Sequence, residues 1–278
     1  LFERICDLPE YYPTRTERAI LDEHADAIVA QAGAVELVEL GSGSAAKTRL
    51  LLDAMDRAGT LDRYVPVDVS EQAVRDSAEA LADEYPGMRV HGVVGDFERH
   101  LHGVPEGGRR IVAFLGGTIG NFPPGSRRRF LRTISSLLGP ADALLLGTDL
   151  VKDPAIIEAA YNDSAGVTAE FNRNLLHVLN RELDADFPVD AFAHVAFFDR
   201  EREWIEMRLR AERACSVWVG GLGLRVSFGA GEELRTEISA KFTPERVRGD
   251  LAAAGLELAG WYTDPEELFA LSLARRAG

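Results

Sequence analysis

A glycine-rich turn and a downstream carboxylate carry the first chemical signal in this 278-residue sequence. The run Glu39-Leu40-Gly41-Ser42-Gly43 follows an apolar stretch and precedes an amphipathic one, which predicts a strand, a tight turn and a helix. Glycine tolerates backbone angles that a Cβ would block and lets a ligand approach the main chain. Asp68 follows in the range where an acidic residue meets ribose hydroxyls. The pattern therefore predicts a nucleoside-bearing ligand at this turn.

The turn departs from the two common phosphate-binding motifs. Ala46 stands where the dinucleotide fingerprint prefers a third glycine, and no Gly-Lys-Ser/Thr signature is present. The Glu-Leu-Gly-Ser-Gly form is typical of enzymes that bind S-adenosylmethionine (SAM), which carries a sulfonium cation and a carboxylate but no pyrophosphate. Glu39 suits a cationic ligand, and Lys47 is placed to meet the carboxylate of its methionine end. An ordinary tight turn and a nicotinamide-dependent oxidoreductase remain as alternatives.

Polar residues also follow the other predicted strands. After the third strand, Asp96 can accept a hydrogen bond from the adenine amino group while Phe97 packs on the ring. After the fourth strand, the run 116–124 holds three glycines and Asn121, where we expect the substrate. For Asp68, the alternative to ribose binding is that it merely caps the following helix.

The order of elements predicts an α/β fold with a doubly wound sheet and ligands at the carboxyl ends of the strands. Two further strands near the carboxyl terminus, 256–262 and 269–274, give the terminal antiparallel strand of the class I SAM-dependent methyltransferase sheet. We expect the SAM-binding core domain to comprise residues 35–153 and 243–278. Residues 153–183 are predicted to be mostly helical, and with the strands predicted within 187–242 they form a block too long for a simple connection. We expect this block, 154–242, and residues 1–34 to form an inserted α+β substrate-binding domain.

The amino-terminal segment carries paired tyrosines between two prolines. Pro9 and Pro13 around Tyr11-Tyr12 predict a fixed loop, and Thr14 or Thr16 is expected to cap the helix that follows, over about 17–32. These tyrosines either line a ligand site or simply pack the loop on the core.

Composition limits the function classes. A net charge of −14 argues against nucleic acid as a partner, and no apolar run reaches a membrane span of ~20 residues. Two cysteines form no disulfide or metal framework, and six histidines show no ligand spacing, so we expect no metal and a cytoplasmic location. The chain begins at Leu1, so an upstream segment is expected to be missing. A small-molecule substrate and a monomer are the expectation.

Motifs along nearly the whole chain together resemble the histidine-specific Nα-methyltransferases of ergothioneine biosynthesis, which make trimethylhistidine (hercynine). These are the runs at 9–17, 39–43, 47–49, 66–70, 95–97, 116–122, 161–162 and 236–242. Each run alone is weak, but the combination is specific.

The resemblance implies a role for particular residues. SAM would be bound by Gly41, Lys47, Asp68, Asp96 and Phe97. The amino-acid end of L-histidine would be held by Tyr11, Asn121 and Tyr161, with Asn121 and Tyr11 orienting the amine for transfer. Its imidazole would be held by Glu237 and Ser239, and Met207 would line the side-chain pocket.

Two questions stay open at this stage. Ala45-Ala46 is plainer than the polar pair expected before Lys47, so the SAM affinity can differ from that of the family. Glu237 and Ser239 are two positions apart on a predicted strand, so their side chains lie on the same side of it. An ordinary solvent-exposed strand face would show the same spacing. A SAM-dependent enzyme acting on another small amino acid or amine is the alternative function.

Overall fold

The computed structural model describes residues 1–42, 47–96 and 99–278. The α-helices in these ranges are α1 (Phe2–Cys6), α2 (Tyr12–Ala32), α3 (Thr48–Arg57), α4 (Glu71–Glu84), α5 (Pro124–Leu137), α6 (Pro154–Tyr161), α7 (Val167–Glu182) and α8 (Pro244–Ala252). The strands are β1 (Glu36–Leu40), β2 (Arg63–Asp68), β3 (Arg89–Val90), β4 (Val93–Val94), β5 (Arg110–Phe114), β6 (Ala143–Asp149), β7 (Phe192–Asp199), β8 (Trp204–Ala211), β9 (Cys215–Val219), β10 (Leu224–Phe228), β11 (Glu233–Ala240), β12 (Leu256–Thr263) and β13 (Phe269–Arg276).

The chain forms two compact units. One, the core unit, holds Arg15–Leu150 and Phe242–Gly278; the other, the insert unit, holds Leu1–Thr14 and Val151–Lys241. Residues 15–34, which the sequence had grouped with the insert, cluster with the core unit. The reason is hydrophobic burial, because Ile20, Leu21 and Ile28 of α2 lie in the same apolar cluster as sheet residues.

The core unit is built on one mixed sheet in the order β12-β13-β6-β5-β1-β2-β3, with β4 also paired to β2. Strands β1 to β6 run parallel, and β13 is antiparallel to both β6 and β12. The predicted doubly wound sheet with a terminal antiparallel strand is confirmed. Strands β1, β5 and β6 are buried along their whole length, as expected for parallel strands covered on both faces.

One local prediction for these elements was wrong. Helix α2 begins at Tyr12, so Pro13 lies in its first turn and Thr14 and Thr16 lie inside it instead of capping it. Proline needs no backbone N–H partner in the first turn, so it does not end the helix there. Residues 153–183, predicted to be mostly helical, form two helices, because Asp163 accepts the N–H groups of Val167 (2.9 Å) and Thr168 (2.7 Å) and starts α7 anew.

The insert unit contains a three-stranded antiparallel sheet, β11-β8-β7, and a β9-β10 hairpin. Helix α7 supplies Leu176 to an apolar cluster with Phe192, Leu209 and Phe228 from the strands. Within the described ranges, no helix is both long and apolar enough to cross a membrane.

Candidate active site

Two predicted cofactor residues, Gly41 and Asp68, lie side by side at the carboxyl edge of the core sheet. Gly41 directly follows β1, and its N–H donates to the carbonyl of Val67 (2.8 Å), the penultimate residue of β2. Asp68 ends β2, and its carbonyl accepts the N–H of Gly95 (2.8 Å). Gly41 has φ +76°, a conformation that L side chains rarely adopt. The parallel register thus brings the glycine turn, Asp68 and the residues after β4 to one edge.

Asp68 does not cap the helix that follows it. The N-cap of α4 is Ser70, whose hydroxyl accepts the N–H of Ala73 (3.2 Å). The Asp68 carboxylate accepts the N–H of Ser70 (2.9 Å) and stays partly exposed. Its position, one strand away from the glycine turn, is the one that suits ribose hydroxyls in this type of sheet.

Asp96 lies beyond β4, next to the end of β2. Its N–H donates to Nδ1 of His100 (3.0 Å), and its carboxylate lies 3.6 Å from Nε of the exposed Arg99. Phe97, predicted to pack on adenine, lies outside the described residues, as does Gly43 of the glycine turn.

Lys47 is held by a residue to which the sequence had assigned no role. Its ammonium pairs with the carboxylate of Glu17 in α2, a side chain with no exposed surface. The same carboxylate accepts the N–H of Gly116, at 2.8 and 2.9 Å to its two oxygens. Glu17 therefore joins the residue after the glycine turn to the loop after β5. Glu17 lies in the run 9–17 that contributes to the family resemblance, but nothing within that run shows that its partner is Lys47.

Glu39 is buried inside the sheet edge and is hydrogen-bonded within the protein. Its carboxylate accepts the hydroxyls of Thr48 (2.5 Å) and Tyr64 (2.6 Å). Burial raises its pKa to about 7, although these two donors and the nearby Lys47 ammonium oppose the shift. The carboxylate ties β1 to the start of α3.

Asn121 belongs to the core unit. The chain leaves β5 through Gly116 and Gly117, whose φ values are +77° and +66°, and enters a short 3₁₀ helix, Thr118–Asn121. Asn121 ends this helix with an exposed side chain. It thus lies at the carboxyl edge of the parallel sheet, whereas Tyr11 and Tyr161 belong to the insert unit.

The tyrosines of the insert unit are in contact. The rings of Tyr11 and Tyr161 pack edge to face with centroids 6.3 Å apart. Tyr161 ends α6, and its carbonyl lies 2.9 Å from Nε2 of His194 on β7. Nδ1 of that ring lies 2.9 Å from the amide nitrogen of Asn172, which can only donate, so the proton is on Nε2. Burial lowers the pKa of His194, in keeping with this neutral form.

The predicted imidazole residues share one face of the three-stranded sheet. Glu237 pairs across the strands with Met207, and Ser239 pairs with Ile205. Met207 and Ser239 are each 4% exposed, whereas Glu237 is partly exposed. Within the described ranges the Glu237 carboxylate accepts no hydrogen bond, and burial raises its pKa while Lys241 opposes that rise. A desolvated carboxylate without a hydrogen-bond donor is suited to a ligand N–H.

Lys241 completes this face, and sequence reasoning missed it. Its side chain is 0% exposed, and its ammonium lies 3.0 Å from Oγ of Ser239 and 3.1 Å from the hydroxyl oxygen of Tyr161. The alternation of side chains along a strand could have placed Lys241 on this face, since positions 237, 239 and 241 point the same way. The contact to Tyr161, 80 residues away, could not be found from sequence.

A family model and two bacterial relatives match nearly the whole chain. The family model described as histidine-specific methyltransferase, SAM-dependent, matches residues 1–276. The chain is 55% identical over 276 residues to a histidine N-alpha-methyltransferase of Mycolicibacterium smegmatis, covering 99% of this chain and 86% of that protein. It is 52% identical to the protein of the same description from Mycobacterium tuberculosis, with the same coverage. Ergothioneine biosynthesis protein 1 of Neurospora crassa matches over 186 residues at 38% identity, covering 65% of this chain and 21% of that protein.

A solved structure is similar in fold. The CcbJ methyltransferase from Streptomyces caelestis matches with a TM-score of 0.52 at 16% identity, covering 98% of each chain. At this identity the likeness concerns the fold alone.

Proposed function

Because this chain belongs to the histidine-specific, SAM-dependent methyltransferase family, we propose that it methylates the α-amino nitrogen of free L-histidine. The proposed product is trimethylhistidine (hercynine), for ergothioneine biosynthesis. The structural observation that carries the substrate choice is the partly buried Glu237 carboxylate, which lies on one strand face with Ser239 and Met207. Because the chain belongs to this family, a nicotinamide-dependent oxidoreductase is no longer an alternative.

SAM supplies an electrophilic methyl group on a sulfonium. The residues at the sheet edge fit such a ligand, since Gly41 offers open main chain and Asp68 a partly exposed carboxylate. We assign the ribose hydroxyls to Asp68, the adenine to Asp96 and Phe97, and the methionine carboxylate to Lys47. The ion pair with Glu17 orients the Lys47 ammonium for that contact.

Histidine is assigned to two sets of residues. Tyr11, Tyr161 and Asn121 hold its amino-acid end, and Glu237 and Ser239 bind its imidazole beside Met207. A ligand without ring N–H and N groups would leave the Glu237 carboxylate and the Ser239 hydroxyl proton without a partner, at a cost of ~1–3 kcal/mol for each. This is the basis of the proposed specificity.

Methyl transfer needs a neutral amine in line with the bond to be broken, so catalysis is mostly positioning. Asn121 and the tyrosine hydroxyls orient the amine through uncharged groups. A carboxylate beside the nitrogen would raise the pKa of the ammonium and oppose attack. We therefore propose that the amine loses its proton to water, with no strong general base at this position.

The proposed partner is a small molecule alone, and the protein is proposed to act as a monomer in the cytoplasm. The net charge of −14 disfavours a phosphate backbone as a ligand. Cys6 and Cys215 are both free thiols, which suits a reducing compartment.

The experiment is mass spectrometry of L-histidine incubated with SAM and the protein, alone and as variants. Glu237→Ala should lower kcat/KM for histidine roughly 10- to 100-fold, because an N–H of the ring loses its charged acceptor. S-adenosylhomocysteine (SAH) affinity should be unchanged. Glu212→Gln, which alters an exposed carboxylate of the insert unit, is the control and should behave as wild type. Unchanged histidine turnover in Glu237→Ala would remove the imidazole role, and no product from wild type would overturn the proposed function.

A further inference from the structure

A buried ammonium lies among the residues proposed to bind imidazole. Lys241 follows β11 directly, and its N–H donates to the carbonyl of Glu203 (2.7 Å). Its side chain has no exposed surface; Nζ lies 3.0 Å from Oγ of Ser239 and 3.1 Å from the hydroxyl of Tyr161, and 4.7 Å from the centroid of the Tyr161 ring. The residue thus connects the strand that carries Glu237 to the end of α6.

The direction of these hydrogen bonds is fixed by the chemistry of the ammonium. A lysine ammonium has three donors and no acceptor, so the oxygen of Ser239 must accept from Lys241. The single proton of the Ser239 hydroxyl then points away from Nζ. A second N–H at the remaining lone pair of Ser239 would lie beside this cation, so the lysine favours Ser239 as the donor toward a ligand on this face, whereas a serine without the lysine could accept as readily.

Lys241 also acts on Glu237. Its positive charge stabilises the ionised carboxylate, against the effect of burial. An ionised carboxylate is an acceptor only. The strand face therefore presents one acceptor, Glu237, and one donor, Ser239.

Resting on the proposed function, we propose that Lys241 is a positioning residue that makes this site select the neutral form of the imidazole ring. Neutral imidazole has one N–H donor and one ring nitrogen that accepts, which matches Glu237 and Ser239 in turn. Imidazolium has two N–H donors, so one of them would meet the Ser239 proton. It would also meet the buried charge of Lys241, which repels a second cation.

Other titratable groups lie around this cluster in the insert unit. Glu237 shares the strand, Tyr161 comes from α6, Tyr11 packs on the Tyr161 ring, and His194 on β7 contacts the Tyr161 carbonyl. Protonation of Glu237 would also weaken histidine binding at low pH. The test must therefore separate titration of the ligand from titration of the protein.

Isothermal calorimetry on the SAH-saturated protein provides this separation. L-histidine is compared with 1,2,4-triazole-3-alanine, whose ring keeps an N–H and an accepting nitrogen but stays neutral in mild acid. Between about pH 7.5 and about pH 5.5 the neutral fraction of imidazole falls about tenfold, so histidine binding should weaken about tenfold. Binding of the triazole analogue should change less than about threefold over the same range. An equal loss for both ligands, or none for histidine, would overturn the selection of the neutral ring.

The role of Lys241 is tested by a double-mutant cycle at about pH 7.5. If Lys241 acts through Ser239, Lys241→Met and Ser239→Ala should each weaken histidine binding about tenfold, and the double variant should be little worse than either. Additive losses would show that Lys241 does not act through Ser239 and would overturn the inference. Lys241→Gln, which keeps an amide donor, should retain more affinity than Lys241→Met and serves as the second variant if Lys241→Met does not fold.

Failure of this inference is distinguishable from failure of the proposed function. SAH affinity reports the folding of each variant, and wild-type methylation of histidine reports the activity. A wild type that methylates histidine but binds both ligands with the same pH dependence contradicts only the selection of the neutral ring, and additive losses in the double-mutant cycle contradict only the role of Lys241. A wild type that does not bind histidine contradicts the proposed function itself.

Discussion

The carboxylate of Glu17 and the ammonium of Lys47 form an ion pair, although 30 residues separate them in the sequence. Glu17 has no exposed surface, whereas the Lys47 side chain retains 22% of its exposure. The same carboxylate accepts the N–H of Gly116. One buried acid thus fixes both the residue after the glycine turn and the loop after β5, two places assigned to ligand binding.

Glu17→Gln should destabilise the protein, because it removes the charge that compensates Lys47. Breaking a buried pair by removing one partner costs ~3–5 kcal/mol, and the partial exposure of Lys47 favours the lower end. Urea unfolding measures this change. Asp22→Asn, on an exposed position of the same helix, is the control and should change the free energy of unfolding by no more than ~0.5 kcal/mol. Equal losses in the two variants would contradict the importance of the pair.

Gly147→Ala should disturb the same ion pair from the sheet side. A methyl group at this position of β6 would overlap Oε1 of Glu17 and would lie 3.3 Å from the Phe269 ring. The carboxylate must then move away from Lys47 and Gly116. We expect a loss of stability in urea unfolding that is not additive with Glu17→Gln, because both changes act on one carboxylate. Additive losses would mean that the alanine is accommodated without moving Glu17.

Asp68→Asn should weaken SAH binding while leaving the fold intact. A charge-assisted pair of hydrogen bonds to ribose hydroxyls is worth ~1.5–3 kcal/mol, which corresponds to roughly a 10- to 100-fold change in Kd. Calorimetry with SAH measures the loss. Asp83→Asn, on the exposed side of α4, should bind SAH as wild type does. An unchanged Kd in Asp68→Asn would remove the ribose assignment.

The doubly wound core sheet could be predicted from sequence because its strands are nearly continuous apolar runs with polar residues at their ends. The glycine turn, Asp68 and Asp96 came from such ends, and the parallel register explains why they lie together. The break at 162–166 was missed, since Asp163 caps α7 with a side chain that a periodicity argument treats as one more polar position.

Contacts between distant segments could not be predicted in this way. Glu17 and Lys241 are charged residues in apolar surroundings, and each is explained only by partners brought close by folding. The sequence put Glu237 and Ser239 on one strand face, but it could not show whether that face is buried. The structure buries Ser239 and Lys241 there.

His194 should titrate below the ordinary histidine range. Burial lowers its pKa, and the Asn172 amide donates to Nδ1 of the neutral ring, whereas the hydrogen bond to the Tyr161 carbonyl opposes the shift. Since the unfolded chain takes up a proton below about pH 6.5 while the folded protein resists it, this residue's contribution to stability falls as pH drops through that range. A proton NMR titration checks the pKa. The resonance that disappears in His194→Gln, but not in the exposed control His177→Gln, should shift only below about pH 6.5.

Glu39 should give the opposite pH dependence. Its pKa is raised to about 7 in the folded protein, from an ordinary value of 4.5. Between these values the folded state binds the extra proton, so this residue's contribution to the free energy of unfolding is full below about pH 4.5 and is lost as pH rises through about 7. The loss amounts to about 3 kcal/mol.

Urea unfolding at about pH 5 and about pH 8 tests this expectation. Relative to Glu39→Gln, which cannot ionise, wild type should lose about 3 kcal/mol between the two pH values. Glu79→Gln, at an exposed position of α4, should follow the wild-type pH dependence. If wild type and Glu39→Gln instead kept a constant difference in stability across this range, Glu39 would be ionised in the folded protein throughout, and the buried neutral carboxyl beside the glycine turn would be ruled out.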